Sequence, residues 1–253
     1  LELSIAGCIT SINTNKKIIN VISGTETLFS KKNTFNQLKK TTIKFVFKLS
    51  NLLGRQEFVF QNKHDYLDFK NKLGFRGKLR LISGNGINVE KIPYKERTKT
   101  NRIKILLASK LLKNKGIYAY IRAINLYKDQ FNQNCDFFLA GEMDYGHPNS
   151  ISRDCYSDIL NNSHVTYLGE LSQEEYRDIL VEYEILVLPS LREGLPLSLV
   201  EGMLSGMPII TTDVPGCSDC VHNYVNGILV PHGDDQALAD SFNFFDKNKE
   251  KIE

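Results

Sequence analysis

The chain has 253 residues, of which 42% are hydrophobic and 24% charged, the balance of a folded globular protein, and a formal net charge of +3. No apolar run approaches the ~20 residues of a membrane-spanning helix. Leu1-Glu2-Leu3 has neither the basic start nor the long apolar core of a signal peptide, and without an initiating Met the sequence reads as an excerpt of a longer one.

The small net charge hides an asymmetry. Residues 1–100 carry 19 Lys and Arg against 7 Asp and Glu, a net +12, and the remainder nets −9. A basic first part and an acidic second part point to two units, the first facing something anionic. Five cysteines (Cys8, Cys135, Cys155, Cys217 and Cys220) are odd in number and scattered, which fits a reducing cytoplasm. Cys217 and Cys220 form a lone C-x-x-C and read as unpaired thiols rather than a zinc or redox pair.

In chain order, residues 1–12 read as the end of a helix and Lys17–Ser23 as a buried strand. From Lys31 to about Gln56 the pattern is helical. Phe35, Leu38, Phe45, Val46, Leu49, Leu52 and Leu53 fall on one stripe, with Lys40, Lys44 and Lys48 across from it. Glu57–Asn62 is a strand, Lys63–Leu73 a helix and Leu79–Ser83 a strand. Gly84–Asn101 is polar, charged and aperiodic, the best linker in the chain. It divides the chain into an expected first domain, 1–93, and a second, 94–253.

Beyond it, strands and helices alternate. The expected strands are Ile103–Ser109, Asp136–Gly141, His164–Gly169, Glu184–Ser190, Pro208–Asp213 and Gly227–Val230. Expected helices occupy Gly116–Lys128, Ser150–Leu160, Gln173–Glu182 and Leu197–Leu204, with a last one from Asp234. Strands apolar throughout and separated by helices predict a parallel sheet covered on both faces, a doubly wound α/β fold. Ligands of such folds lie beyond the carboxyl ends of the strands. That places Ser109-Lys110, Gly141-Glu142, Ser190–Pro196 and Asp213–Gly216 at the candidate site.

The chemistry concentrates in "LPSLREGLPLSLVEGM". Pro196 sits where a first helical position tolerates proline, and the backbone N–H groups of Gly194 to Leu197 would be donors at a positive helix end. Glu193 lies in the loop and Glu201 on the helix. Two carboxylates around an anion-binding turn suit a ligand with a phosphate and several hydroxyls, such as a sugar nucleotide. A capping acid followed by a solvated helix acid would have the same spacing. Lys110 and Lys115 could neutralise a diphosphate leaving group, or stand as solvated loop lysines.

Taken in order, "ASKLLKNKG", "FFLAGE", "VTYLGEL", "EILVLPSLREGLPLSLVEGMLSGMPIITTDVPGCSD" and "NGILVP" resemble the C-terminal domain of GT-B glycosyltransferases. The likeness is to the large retaining family 4, the glycosyl transferases group 1, whose Glu-x7-Glu signature is matched by Glu193 and Glu201. It covers residues 101–240. "NVISGTETLF" and "QNKHDYLDFKNKLG" through "ISGNGINVEKIP" resemble, more weakly, the later part of that family's N-terminal domain in capsule, O-antigen and lipid-linked oligosaccharide enzymes.

The resemblance implies an α/β fold of GT-B type, with two Rossmann-like doubly wound domains, the first incomplete. It implies that Glu201 holds the donor ribose and Glu193 the donor sugar, with Gly194, Leu195, Leu197 and Ser190 around sugar and phosphate. Lys110 and Lys115 would face the diphosphate, and Gly141 and Glu142 the base. Lys110 stands where the family usually has arginine, and Glu26 where it usually has glycine.

The implied reaction moves a hexose or N-acetylhexosamine from a nucleotide-diphosphate sugar, with UDP the family default, to a lipid-linked or saccharide acceptor with retention. No metal cofactor is required. The expected location is the cytoplasm or the inner face of its membrane, with the Lys31–Gln56 helix as a surface for anionic lipid. No nucleic-acid motif accompanies the basic charge. A truncated, inactive nucleotide-sugar-binding remnant is the alternative. A glycosidase would instead set its carboxylates across a scissile bond.

Overall fold

The computed structural model describes residues 17–22, 56–72, 77–84, 86–98, 100–131 and 134–252, together with positions 7, 41, 42, 45, 46 and 49. The chain divides into two compact units, residues 1–86 with 193–195, and residues 87–192 with 196–253.

In the first unit, strands β1 (Ile18–Ile22), β2 (Gln56–Phe60) and β3 (Lys78–Leu81) form a parallel sheet in that order. Helix α1 (Lys63–Lys72) connects β2 to β3 and sends Phe69 onto the sheet, its ring centroid 5.2 Å from Phe58 and 5.0 Å from Phe60. With Ile22 these rings form the core of the unit, and Val46 packs against them.

Two sequence expectations change here. Gln56 is the first residue of β2, not the end of a helix. Positions 41, 42, 45, 46 and 49 are helical, but Phe45 is 65% exposed and Leu49 is also exposed, so neither lies on the buried stripe. The rest of the expected Lys31–Gln56 helix, and all of residues 1–12 but Gly7, fall outside the described residues. Among the described residues no helix is long and apolar enough to cross a membrane.

The second unit is a six-stranded parallel sheet. Its strands are β4 (Ile103–Ala108), β5 (Cys135–Ala140), β6 (Val165–Gly169), β7 (Ile185–Leu188), β8 (Ile209–Thr212) and β9 (Gly227–Val230). They are ordered β6-β5-β4-β7-β8-β9. The helices are α2 (Ile117–Gln130), α3 (Arg153–Asn161), α4 (Gln173–Ile179), α5 (Leu197–Leu204) and α6 (Asp235–Lys247). The apolar strand runs are explained by burial on both faces. Ile103, Ile105, Leu107, Ile185 and Val187 face one layer with Tyr120, Tyr127 and Phe242. Leu106, Leu186 and Leu188 face the other with Leu199.

The strand order reverses direction between β4 and β7, where Ile105 pairs with Phe137 on one side and Ile185 on the other. Loops leaving the carboxyl ends of these two strands diverge, and the gap between them is where doubly wound folds admit a ligand.

The stretch read as a linker is pinned to this unit over much of its length. Ile92 is buried in the second core layer, and Arg97 is buried with Nη2 donating to the carbonyl oxygens of Leu180 (2.9 Å) and Ser205 (3.0 Å).

Candidate functional site

A cavity of about 380 Å³ opens at the carboxyl ends of β4 and β5 and is closed on its far side by the start of α4 and the first turns of α5. Lys110, Gly141, Glu142, Tyr176 and Glu201 line it.

The backbone around it is shaped by a close crossing. Gly141 has φ 149°, and a Cβ there would fall on the carbonyl oxygen of Ser109. Its N–H donates to Gly169 O (2.8 Å) and its carbonyl accepts from the Tyr167 hydroxyl (2.7 Å). Only glycine lets the ends of β4 and β5 approach this closely. At Gly116, with φ 78°, the same holds against the carbonyl of Pro189 after β7.

Glu201 is the most buried of the candidate carboxylates, 4% exposed, on the second turn of α5. Both Nε and Nη2 of Arg177, on α4, donate to its Oε1 at 2.9 Å. Burying one partner of such a pair without the other is strongly destabilising, so the two side chains belong together. The adjacent Tyr176 hydroxyl donates to the Ser198 carbonyl at 3.0 Å, a second tie between α4 and α5. Burial raises the Tyr176 phenol far above its ordinary range and keeps the hydroxyl protonated, able to donate.

At the other end of the cavity the Lys110 ammonium lies 3.0 Å from Glu142 Oε2. That hydrogen bond raises the lysine above its ordinary value and keeps it charged. Helix α5 starts at Leu197; Pro196 is its N-cap, one residue earlier than the first helical position expected, and supplies no side-chain cap to the first turn.

The structure therefore gathers Lys110, Gly141, Glu142 and Glu201 around one cavity. Lys115 belongs to a short 3₁₀ turn (Lys113–Lys115) and is not among the cavity-lining residues. Ser190 is fully buried, its carbonyl accepting from the Thr212 hydroxyl. Glu193, Gly194 and Leu195 group with the first unit, where Asn62 Nδ2 donates to the Gly194 carbonyl at 3.0 Å. Asn62 is 2% exposed, and its Oδ1 also accepts from the Asp65 N–H in the first turn of α1.

Sequence reasoning missed Asn62, Tyr176 and Arg177. The capping box of Ser172 and Glu175, a Ser-x-x-Glu pattern, marks the start of α4. Nothing in the sequence pairs Arg177 with a residue 24 positions away.

Cys135, Cys155 and Cys220 are free thiols. Among the described residues no group of three or more His, Cys, Asp or Glu side chains is placed to hold a metal ion.

Residues 88–253 match the family model described as glycosyl transferases group 1. A Campylobacter jejuni protein named N,N'-diacetylbacillosaminyl-diphospho-undecaprenol alpha-1,3-N-acetylgalactosaminyltransferase is 28% identical over 204 residues, 76% of this chain and 51% of that protein. The amylovoran biosynthesis glycosyltransferase AmsK of Erwinia amylovora is 32% identical over 166 residues, 62% of this chain and 40% of that protein. The chain thus spans about half the length, or less, of these curated relatives.

Among solved structures, HepE of Anabaena in complex with UDP and glucose superposes with a TM-score of 0.76 at 17% identity. The match covers 100% of this chain and 68% of that one. Sucrose-phosphate synthase from Thermosynechococcus elongatus gives 0.79 at 17% identity, covering 97% and 62%. At these identities the likeness is one of fold, and the fold is that of the GT-B glycosyltransferases.

Proposed function

We propose, from the premise that this chain belongs to the glycosyl transferases group 1, that its second unit holds a nucleotide-diphosphate sugar in the cavity beside β4 and β5. The sugar, a hexose or N-acetylhexosamine, passes with retention to a lipid-linked or saccharide acceptor in cell-surface polysaccharide synthesis. The observation that carries this reading is Glu201, a buried carboxylate held by an arginine on the wall of a cavity next to the switch point. Such a carboxylate is built to accept hydroxyl donors, and a ribose presents two. The UDP in the HepE complex supports a uridine donor, and the names of the Campylobacter and Erwinia relatives support the polysaccharide setting.

In this reading Glu201 receives the ribose hydroxyls, and Gly141 and Glu142 border the base. Glu193 receives hydroxyls of the sugar, with Ser190, Gly194, Leu195 and Leu197 around sugar and phosphate. As the glycosidic bond breaks, positive charge grows on the sugar and negative charge on the departing diphosphate. Lys110, Lys115 and the amino end of α5 stabilise that diphosphate. The acceptor hydroxyl attacks from the same face and passes its proton to the leaving phosphate, so neither glutamate forms a covalent bond to the sugar.

Calorimetric titration of UDP and of a UDP-sugar into the protein tests this. Glu201→Ala weakens both ligands by at least about tenfold, the loss expected for hydrogen bonds to a charged group, and Glu193→Ala weakens the UDP-sugar more than UDP. Unchanged UDP binding in Glu201→Ala overturns the assignment.

A further inference from the structure

We infer that Arg177 is a positioning residue for donor recognition: it clamps one oxygen of Glu201 so that the other is presented to the ribose hydroxyls. The inference rests on the reading of Glu201 given above, and adds a residue that the Glu-x7-Glu pattern does not contain. Both guanidinium hydrogen bonds, from Nε and from Nη2, end on Oε1 at 2.9 Å. Oε2 is therefore not the oxygen the arginine holds. Two donors of one rigid, planar guanidinium converging on the same oxygen hold that atom in place, a geometry that a lysine ammonium does not reproduce.

The arginine is itself held. Helix α4 begins at the reciprocal cap in which Ser172 Oγ accepts from the Glu175 N–H (3.2 Å) and Glu175 Oε2 accepts from the Ser172 N–H (2.8 Å). One residue before Arg177, the Tyr176 hydroxyl is anchored on the Ser198 carbonyl of α5. Arg177 is 16% exposed and Glu201 5% by side chain, so water competes weakly for either partner. Ser172, Gln173, Tyr176, Ser198 and Glu201 all line the cavity, so the face where α4 meets α5 is a wall of the site and not a remote packing surface.

If Arg177 only packed α4 against α5, removing it would lower stability and leave the chemistry of recognition intact. The test compares UDP with 2′,3′-dideoxy-UDP by calorimetry on the protein, its Glu201→Ala variant and its Arg177→Met variant. The native protein prefers UDP by about tenfold or more, the scale of hydrogen bonds to a charged acceptor. Glu201→Ala abolishes the preference, and Arg177→Met reduces it to within about twofold while Arg177→Lys restores part of it. A folded Arg177→Met that keeps the full preference, while Glu201→Ala loses it, overturns the role of Arg177 alone. A Glu201→Ala that keeps the preference overturns the reading of Glu201 and the clamp with it. If Arg177→Met does not fold, Arg177→Gln carries the same comparison with the same criterion.

Discussion

The ammonium of Lys110 and the Oε2 of Glu142 lie 3.0 Å apart, each partly open to solvent, so the cation assigned to the donor diphosphate is already paired with an acid on the next loop. Exposed pairs of this kind are weak because water and salt compete with both partners. A diphosphate can therefore take the lysine from Glu142 at little cost, and Glu142 serves as its resting partner. Glu142→Gln releases Lys110 and tightens UDP binding a few-fold in low salt, with the gain fading as ionic strength rises. Titrations at two salt concentrations check this, and weaker binding in Glu142→Gln would instead make the carboxylate a direct ligand. Lys110→Ala weakens UDP in both salts.

The order of elements in the second unit was readable because its inner strands are largely apolar on both faces, so the runs at 103–109, 136–141 and 184–190 stand out from amphipathic helices. The start of α5 at Leu197 followed from Pro196, which cannot donate a backbone hydrogen bond. Contacts between distant residues were not readable. Arg177 meets Glu201 because β6, β7 and the helices after them return to one end of a sheet whose order is not the chain order. Arg97 sat in a polar, aperiodic stretch and looked like linker, yet its guanidinium closes the carbonyl ends of two segments around Leu180 and Ser205. Phe45 looked like core from periodicity alone, but a helix stripe does not reveal how wide the covering surface is.

Cys135 offers a pH-dependent probe of the second unit. Burial pushes its thiol from 9.0 up to about 12, and burial also raises Cys155, which is only half-buried. In the folded state Cys135 stays protonated through the range in which an exposed thiol ionises. The unfolded chain ionises first, so this residue's contribution to stability is complete below about pH 9 and is lost as pH rises toward about 12. Alkylation at pH 8, read by peptide mass spectrometry, labels Cys155 well before Cys135. Denaturant removes the difference, and equal native-state labelling would mean that the α2–α6 face opens.

Gly141 tests the backbone crossing that shapes the cavity. Alanine there has two penalties: φ 149° is a conformation that L side chains rarely adopt, and the added methyl falls on the Ser109 carbonyl oxygen. The loop must move, and with it the hydrogen bonds from Gly141 N–H to Gly169 O and from the Tyr167 hydroxyl to Gly141 O. The expected loss is about 2–4 kcal/mol, combining backbone strain with disturbed hydrogen bonds. Gly146→Ala is the control, since the nearest atom to its added Cβ is 3.6 Å away on the Asp144 side chain. Its effect stays within about 0.5 kcal/mol, as at ordinary surface positions. Chemical denaturation of both variants, with UDP titrated into each, separates the effects. Gly141→Ala loses stability and UDP affinity together because Lys110, Glu142 and the β4 terminus share that crossing, whereas a Gly141→Ala protein as stable as the control would mean that the loop relaxes without strain.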